Sequence, residues 1–242
     1  MKEKILIIVF ILSCNLFSQD KKYFDAPFGG GGGYTPGWIF VNLDELNKQL
    51  INFGSGQLSQ SGFYTSGGAG FVYIGFVPNL RIGGMGFGGS TSELTLLDGF
   101  EREAIYRISG GGLTVEYTLP FIKNIAVSVG SIIGGGSIQI ELYRNAGNFN
   151  WQSLWSEVST TTSSSPNISR KLSNDFFLFS PMINIDVPFY RFISFRLGGG
   201  YQLAVGKSWK VENEKQLSNV PSKLNGNSFF IQSGIFFGFF SY

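Results

Sequence analysis

Between residues 193 and 206 apolar and polar side chains alternate, with Ile193, Phe195, Leu197, Tyr201, Leu203 and Val205 on one parity and Ser194, Arg196, Gln202 and Ala204 on the other. Successive side chains of an extended chain point to opposite faces, so this stretch predicts a strand with one apolar face and one polar or small face. Residues 177–187 repeat the pattern, Phe177, Phe179, Ile183, Ile185 and Val187 alternating with Ser180, Asn184 and Asp186. Neither has helical spacing. Further strands are predicted over 68–77, 80–90, 104–119, 125–143 and 228–242, which makes seven.

The connections alternate in length. Val77-Pro78-Asn79, residues 119–124 and residues 187–192 are short, and the last two share Pro, Phe, a variable residue and a base before Ile125 and Ile193. Residues 91–103, 145–174 and 207–227 are long and polar. Short turns at one end and long loops at the other are the layout of a transmembrane β-barrel, with the short turns on the periplasmic side. A soluble meander or jelly roll can share it. If both termini lie at the short-turn end, an eighth strand is needed, expected within 34–42 or 62–66. Between these, Leu43, Leu46, Leu50 and Ile51 share one face of a short amphipathic helix over 43–51, with Asn42 as its cap and Glu45 at the capping-box position. The expected fold is all-β, an antiparallel up-and-down barrel of about eight strands with one short N-terminal amphipathic helix. Residues 1–18 would be a signal peptide, 19–66 a Gly-rich segment holding the helix and the first strand, and 67–242 the barrel.

Composition sharpens the class. Charged residues are 14% of the chain, against roughly 25% in soluble domains, while aromatics reach 16% and glycines number 34. That balance suits sheets facing an apolar medium. Lys2 and Lys4, the apolar run 5–12 and Leu16-Phe17-Ser18 before Gln19 have the order of a cleavable secretory signal. The run is too short to cross a hydrocarbon core of about 30 Å. Ile11-Leu12-Ser13-Cys14 offers a second reading, lipidation at Cys14, with a bulky Leu where a smaller residue is usual. Without residues 1–18, which hold Lys2, Lys4 and Glu3, 16 basic and 15 acidic residues remain of the 18 and 16 in the whole chain. So small an excess gives no long-range attraction to nucleic acid. Cys14 is the only cysteine, so no intramolecular disulfide braces the fold.

The final strand closes on Phe239-Phe240-Ser241-Tyr242. A last strand ending on a terminal aromatic resembles bacterial outer-membrane β-barrel proteins in general, and the resemblance covers residues 67–242. It implies export through the signal, residence in the outer membrane of a Gram-negative bacterium, outer-membrane lipid as surroundings, and contact with the barrel-assembly machinery during biogenesis. It names no catalytic residue.

The chemistry the chain lacks narrows the function. There is no histidine, hence no His general base, no His zinc ligand and no Ser-His or Cys-His nucleophile. No catalytic, cofactor-binding or metal site is expected, and no cofactor. Glu101 and Glu103 flank Arg102 and read as solvated charge. Residues 84–89 match GxGxxG, but no long apolar helix follows to offer its positive end to a pyrophosphate. The Gly29–Gly33 run lacks the Lys-Ser/Thr of a P-loop and reads as a flexible segment or close backbone packing. The leading function is a barrel of structural or loop-mediated binding role, its small lumen filled by side chains and closed to general diffusion. The alternative is a secreted or lipid-anchored β-sandwich for binding or adhesion. Trp151, Trp155 and Trp209 in the long loops are candidates to meet a surface partner or glycan, although packing onto the barrel rim is the preferred reading.

Glycines 67, 68, 70, 86, 88, 89, 110–112, 134, 198–200 and 234 lie at similar distances from their turns, a belt at one height. Across it the apolar alternation changes phase, from Leu113, Val115 and Tyr117 to Ala104, Tyr106 and Ile108. Interior glycine usually marks a bulge, a bend or a close neighbour. The belt is therefore expected to bend the strands, either with Gly111, Gly135 and Gly199 seating the 43–51 helix inside the barrel or over its mouth, or with no helix contact.

Overall fold

A computed structural model describes residues 28–122, 125–147, 149–159, 167–190, 192–206 and 208–241. The signal reading of residues 1–18, with Cys14, lies outside these. The described elements are β1 (Phe28–Tyr34), β2 (Gly37–Val41), α1 (Asp44–Phe53), β3 (Phe63–Tyr73), β4 (Leu80–Leu97), β5 (Phe100–Thr118), β6 (Ala126–Asn145), α2 (Trp151–Ser159), β7 (Ile168–Tyr190), β8 (Ile193–Val205), β9 (Trp209–Val211), β10 (Lys215–Gln216) and β11 (Ser228–Ser241).

β1 and β2 form one barrel strand broken at Thr35 and Pro36. Both keep the same antiparallel register against β11 (Tyr34↔Ile235, Gly37↔Gln232) and against β3 (Tyr34↔Gly68, Gly37↔Thr65). Pro36 has no N–H to give to the ladder, while its carbonyl accepts from Ser233 N–H and Thr35 N–H donates to Gly67 O, both at 2.9 Å. This is the expected eighth strand, and it starts earlier than residue 34: the Gly29–Gly33 run is paired strand. β3 likewise begins at Phe63, ahead of the expected barrel start at 67. The order β1/β2, β3, β4, β5, β6, β7, β8, β11 closes on itself as a ring of eight antiparallel strands. A two-sheet sandwich is thereby replaced by a closed barrel.

Register fixes the barrel's girth. From Gly30 the cross-strand partners run Val72, Ile82, Val115, Ser131, then Pro181 and Tyr201 in the register of their neighbours, then Phe229, and return at Phe40, ten residues along the starting strand. Eight strands with a stagger of this size tilt roughly 35–45° and leave an interior that side chains can fill.

The loop end differs from the expectation over 91–103. These residues are paired strand, joined by the two-residue turn Asp98-Gly99 between Leu97 and Phe100. Both turn residues have positive φ, 52° and 78°, the backbone of a tight hairpin whose twist matches its strands. β7 also begins at Ile168, inside the expected 145–174 loop, and β9 pairs with its upper half (Leu172↔Val211).

The pleat does not change phase at the glycine belt. On β5, Ala104, Tyr106, Ile108, Thr114, Glu116 and Thr118 are all buried, so every even position faces inward along the whole strand. What changes is chemistry. On the short-turn side of the belt the inward residues are polar and the outward ones apolar (Leu113, Val115, Tyr117); on the loop side Tyr106 and Ile108 point in while Arg107 and Ser109 point out. β6 repeats this with Ser128 in and Val129 out, then Ile138 and Ile140 in and Gln139 out. The belt itself is continuous, Gly68↔Gly86↔Gly111↔Gly135 in one line of register.

α1 spans Asp44–Phe53, with Leu43 as its N-cap. Asn42 Oδ1 accepts from Asp44 N–H at 3.0 Å, one residue away from the expected capping geometry, and Glu45 pairs with Lys48 instead of closing a capping box. Leu43, Leu46 and Leu50 are buried among Ile39, Tyr106, Ile138 and Ile140, whereas Ile51 is exposed. Gly111, Gly135 and Gly199 occupy outward positions, so a helix on the inner side does not rest on them. Arg102 Nη1 donates to Phe53 O at 2.9 Å, placing a cation at the helix C-terminus. The amide of Asn47 exchanges two 2.9 Å hydrogen bonds with the backbone of Leu58, tying the return chain to the helix.

At the belt, a Cβ on inward-facing Gly112 would stand 2.7 Å from Gly134 Cα, whereas one on outward-facing Gly86 would meet only Gly110 O at 3.9 Å. Gly112→Val should destabilise the barrel by about 1–3 kcal/mol, and Gly86→Val by less than about 0.5 kcal/mol. Urea unfolding of the two variants in detergent checks the contrast.

Candidate functional site

Inside the short-turn half, five neighbouring strands each contribute a polar side chain to one cluster. Arg81 (β4) stands opposite Glu116 (β5) in the register, and Asp186 (β7) opposite Arg196 (β8), so each arginine has a carboxylate as its cross-strand neighbour. The pairs then join across the lumen. Arg81 Nη2 donates to Glu116 Oε2 at 2.8 Å and Nη1 to Asp186 Oδ2 at 2.7 Å. Arg196 donates to Asp186 Oδ1 through Nε at 2.6 Å, to Asp186 Oδ2 through Nη2 at 3.0 Å, and to Glu116 Oε1 through Nη1 at 3.2 Å. Ser128 Oγ on β6 accepts from Arg81 at 2.6 Å and donates to Glu116 at 3.1 Å.

Every carboxylate oxygen of the cluster therefore has an arginine donor, and two positive charges balance two negative ones. All four side chains are at most 3% exposed. The guanidinium planes also lie over aromatic rings: Arg81 over Phe71 at 4.7 Å, and Arg196 over Phe236 at 4.5 Å and Phe71 at 5.2 Å. Cation–π attraction adds to the ion pairing where water is excluded. This arrangement crosslinks β4 to β8 through the lumen and fills it. Its charges are spent on one another, and no group of three or more potential metal ligands occurs among the described residues.

Above the cluster the lumen is apolar. Ile39, Ile108, Ile132, Ile138, Ile140, Phe176 and Leu178 pack with α1 and with Trp209 of β9. The three loop tryptophans thus divide. Trp209 is 4% exposed and packs the loops onto the rim as expected, while Trp151 and Trp155 on α2 are 74% and 52% exposed and contact each other edge to face at 5.6 Å. Leu94 and Leu96 also stand outward near the β4–β5 hairpin tip, on a stretch of β4 beyond the end of its pairing with β3 at Gly89.

The sequence named no site residues, and the ionic cluster was missed. Its signal was present: a charged residue of inward parity on each of four strands that are otherwise apolar or glycine-rich, at a similar distance from a short turn. Residues 84–89 lie within β4 with no helix after them, so the glycine motif belongs to the belt. Glu101 and Glu103 sit on β5 near the hairpin tip, and Arg102 between them turns inward to the helix terminus.

No family model matches the sequence and no curated protein does. Among solved structures, a major outer membrane protein from Thermus thermophilus is similar over 87% of this chain and 99% of that chain, with 8% identity and a TM-score of 0.50. Ail, the attachment invasion locus protein of Yersinia pestis, in complex with the heparin analogue sucrose octasulfate, covers 87% of this chain and 99% of its own at 10% identity and a TM-score of 0.41. The outer membrane protease OmpT from Escherichia coli aligns over 91% of this chain and 99% of its own at 9% identity and a TM-score of 0.38. At such identities the likeness is one of fold, and at that level the resemblance to bacterial outer-membrane β-barrels holds.

Removing one member of a buried charge cluster strands its partners, which typically costs about 3–5 kcal/mol. Glu116→Leu should therefore unfold at clearly lower urea than the unsubstituted protein, and Arg81→Met combined with Glu116→Leu, which leaves Arg196 and Asp186 balanced, should recover part of the loss. Strict additivity of the two single changes would show that the charges are not coupled. For the rim, replacing both Trp151 and Trp155 by Phe should remove the larger part of the acrylamide-quenchable tryptophan fluorescence and leave the smaller part from Trp38, which is 38% exposed, while Trp209→Phe should leave the quenchable part in place.

Proposed function

We propose that the protein is exported through an N-terminal signal in residues 1–18, assembled by the barrel-assembly machinery, and resident in the outer membrane of a Gram-negative cell. There it would act as a sealed barrel that displays a binding surface. The observation that carries this reading is the band of outward apolar side chains around the short-turn half. It includes Val72, Ile82, Val115, Val129, Ile183, Leu197 and Ile235, all exposed, on seven of the eight barrel strands; on the first strand, whose short-turn half is glycine, Tyr34 stands exposed at the level of the belt. On β7 it runs from Phe177 to Val187, close to the roughly 9–11 residues with which a tilted strand crosses hydrocarbon. In water, so large an apolar surface on a monomer would be a liability; against lipid it is the required solvent-facing chemistry.

On β5 and β6 the outward residues above this band become polar (Arg107, Ser109, Gln139), so these longer strands continue beyond the lipid and carry α2 and the β4–β5 hairpin into the aqueous layer outside. The role proposed is non-catalytic and non-porin. Its support is a lumen occupied by the ionic cluster below and the apolar core above, together with a sequence free of histidine. Trp151, Trp155, Leu94 and Leu96 are among the exposed apolar groups at the far end, and they offer contact area for a surface partner or glycan.

The test combines location and conductance. The protein should remain with outer membranes through high-salt and carbonate washing and migrate differently in electrophoresis after boiling. Purified and inserted in planar bilayers, it should give no large steady conductance. Recovery in the soluble fraction would sink the membrane reading, and a stable channel of porin size would sink the sealed-lumen reading.

A further inference from the structure

Where the ionic half of the lumen meets the apolar half, a small cavity lies beside the break in the first strand. Thr35, Gly37, Ile39, Thr65, Met85, Phe87, Ile132, Gln202, Phe230, Ile231 and Gln232 line it, and the space open to the centre of a water molecule is about 20 Å³. That suffices for one water, which needs roughly 10–15 Å³ by this measure.

Its polar lining is specific. Gln202 Nε2 donates to Gly226 O at 2.7 Å, and Gln232 Nε2 donates to Asn184 Oδ1 at 3.0 Å. Each amide has thus committed its nitrogen elsewhere. Gln202 Oε1, Gln232 Oε1 and Thr35 Oγ1 are buried without a partner among the described residues, and their side chains belong to residues 0%, 6% and 2% exposed. A buried polar atom left unpaired costs about 1–3 kcal/mol, and three of the residues that line this one pocket each carry such an atom.

We propose that this cavity is a binding site for a single structural water, which donates its two hydrogens to Gln202 Oε1 and Gln232 Oε1 and accepts the hydroxyl hydrogen of Thr35. The donor and acceptor count matches: two carbonyl acceptors and one hydroxyl donor complement a molecule with two hydrogens and free lone pairs. Three partners lie within the two to four that buried waters make. A metal ion fits poorly, because no carboxylate lines the pocket and hard cations collect six or more oxygens. The rest of the lining, Ile39, Met85, Phe87, Ile132 and Phe230, is apolar and confines the water to the polar corner. The site joins the broken strand to β8 and β11 at the level where Pro36 withdraws a ladder donor, so it knits the seam from inside.

The proposal is independent of where the protein resides, and its test uses the purified full barrel in detergent. A crystal structure at a resolution where other buried waters are visible should show one density peak within hydrogen-bonding distance of all three oxygens. In solution, side-chain amide protons of Gln232 should show a cross-relaxation signal to water of the sign given by a long-lived bound molecule. Thr35→Val with Gln202→Met, which removes two of the three partners, should lose both. Should that double variant fail to assemble, the unsubstituted protein still decides through its own density and its own water signal. Empty density, a direct hydrogen bond between the two glutamines, or a peak ligated by five or six oxygens would each overturn the proposal.

Discussion

The ring closes because one strand, broken at Thr35 and Pro36, holds a single register on both sides, against β11 and against β3. Closure leaves no unpaired edge around the barrel and turns the sheet's two faces into an inside and an outside. All that follows in the molecule is a consequence of that separation. With eight strands and a stagger of ten residues the inside is too narrow to be left to solvent, so side chains must fill it, and what fills it must be paired.

The filling is solved twice, in opposite ways. Near the short turns, polar groups face inward, with two arginines and two carboxylates forming a charge-balanced set against Phe71 and Phe236. Toward the loops, aliphatic and aromatic groups face inward and α1 supplies the leucines that complete the core. The glycine belt is the boundary between these regimes. Backbones with little side-chain volume between them let the inner and outer chemistries exchange without a change of pleat.

Much of this was legible in the chain. The alternation of Ile193 to Val205 and of Phe177 to Val187 gave strands whose apolar faces the structure turns outward, and the paired lengths of the connections gave their order. The helix was found from Leu43, Leu46 and Leu50, one residue off in its start and wrong about Ile51. The glycine half of the first strand was hidden because β propensity is carried by side chains and the Gly29–Gly33 run has none; its pairing is decided by Phe63–Tyr73 and Ser228–Ser241, far away in sequence. The exchange at the glycines looked like a phase shift because a hydropathy pattern records which residues are apolar, not which medium they face. Asp98-Gly99 was a readable hairpin turn, obscured by the polar residues around it. The charge cluster could not be assembled from single strands, since Arg81 and Asp186 meet only after the lumen has formed.

The seam between the first and last strands has a kinetic side. Phe28 pairs with Ser241, nearly the full length of the chain away, so this contact carries the largest loop-closure cost in the molecule and is the natural last step of assembly. Until then, the strand that must wait is FGGGGGY. Glycine-rich segments make poor templates for cross-chain β stacking, which favours side chains of high β propensity and few glycines. The same absence of side chains that concealed this strand from sequence reading keeps its open edge from capturing other chains before β11 arrives.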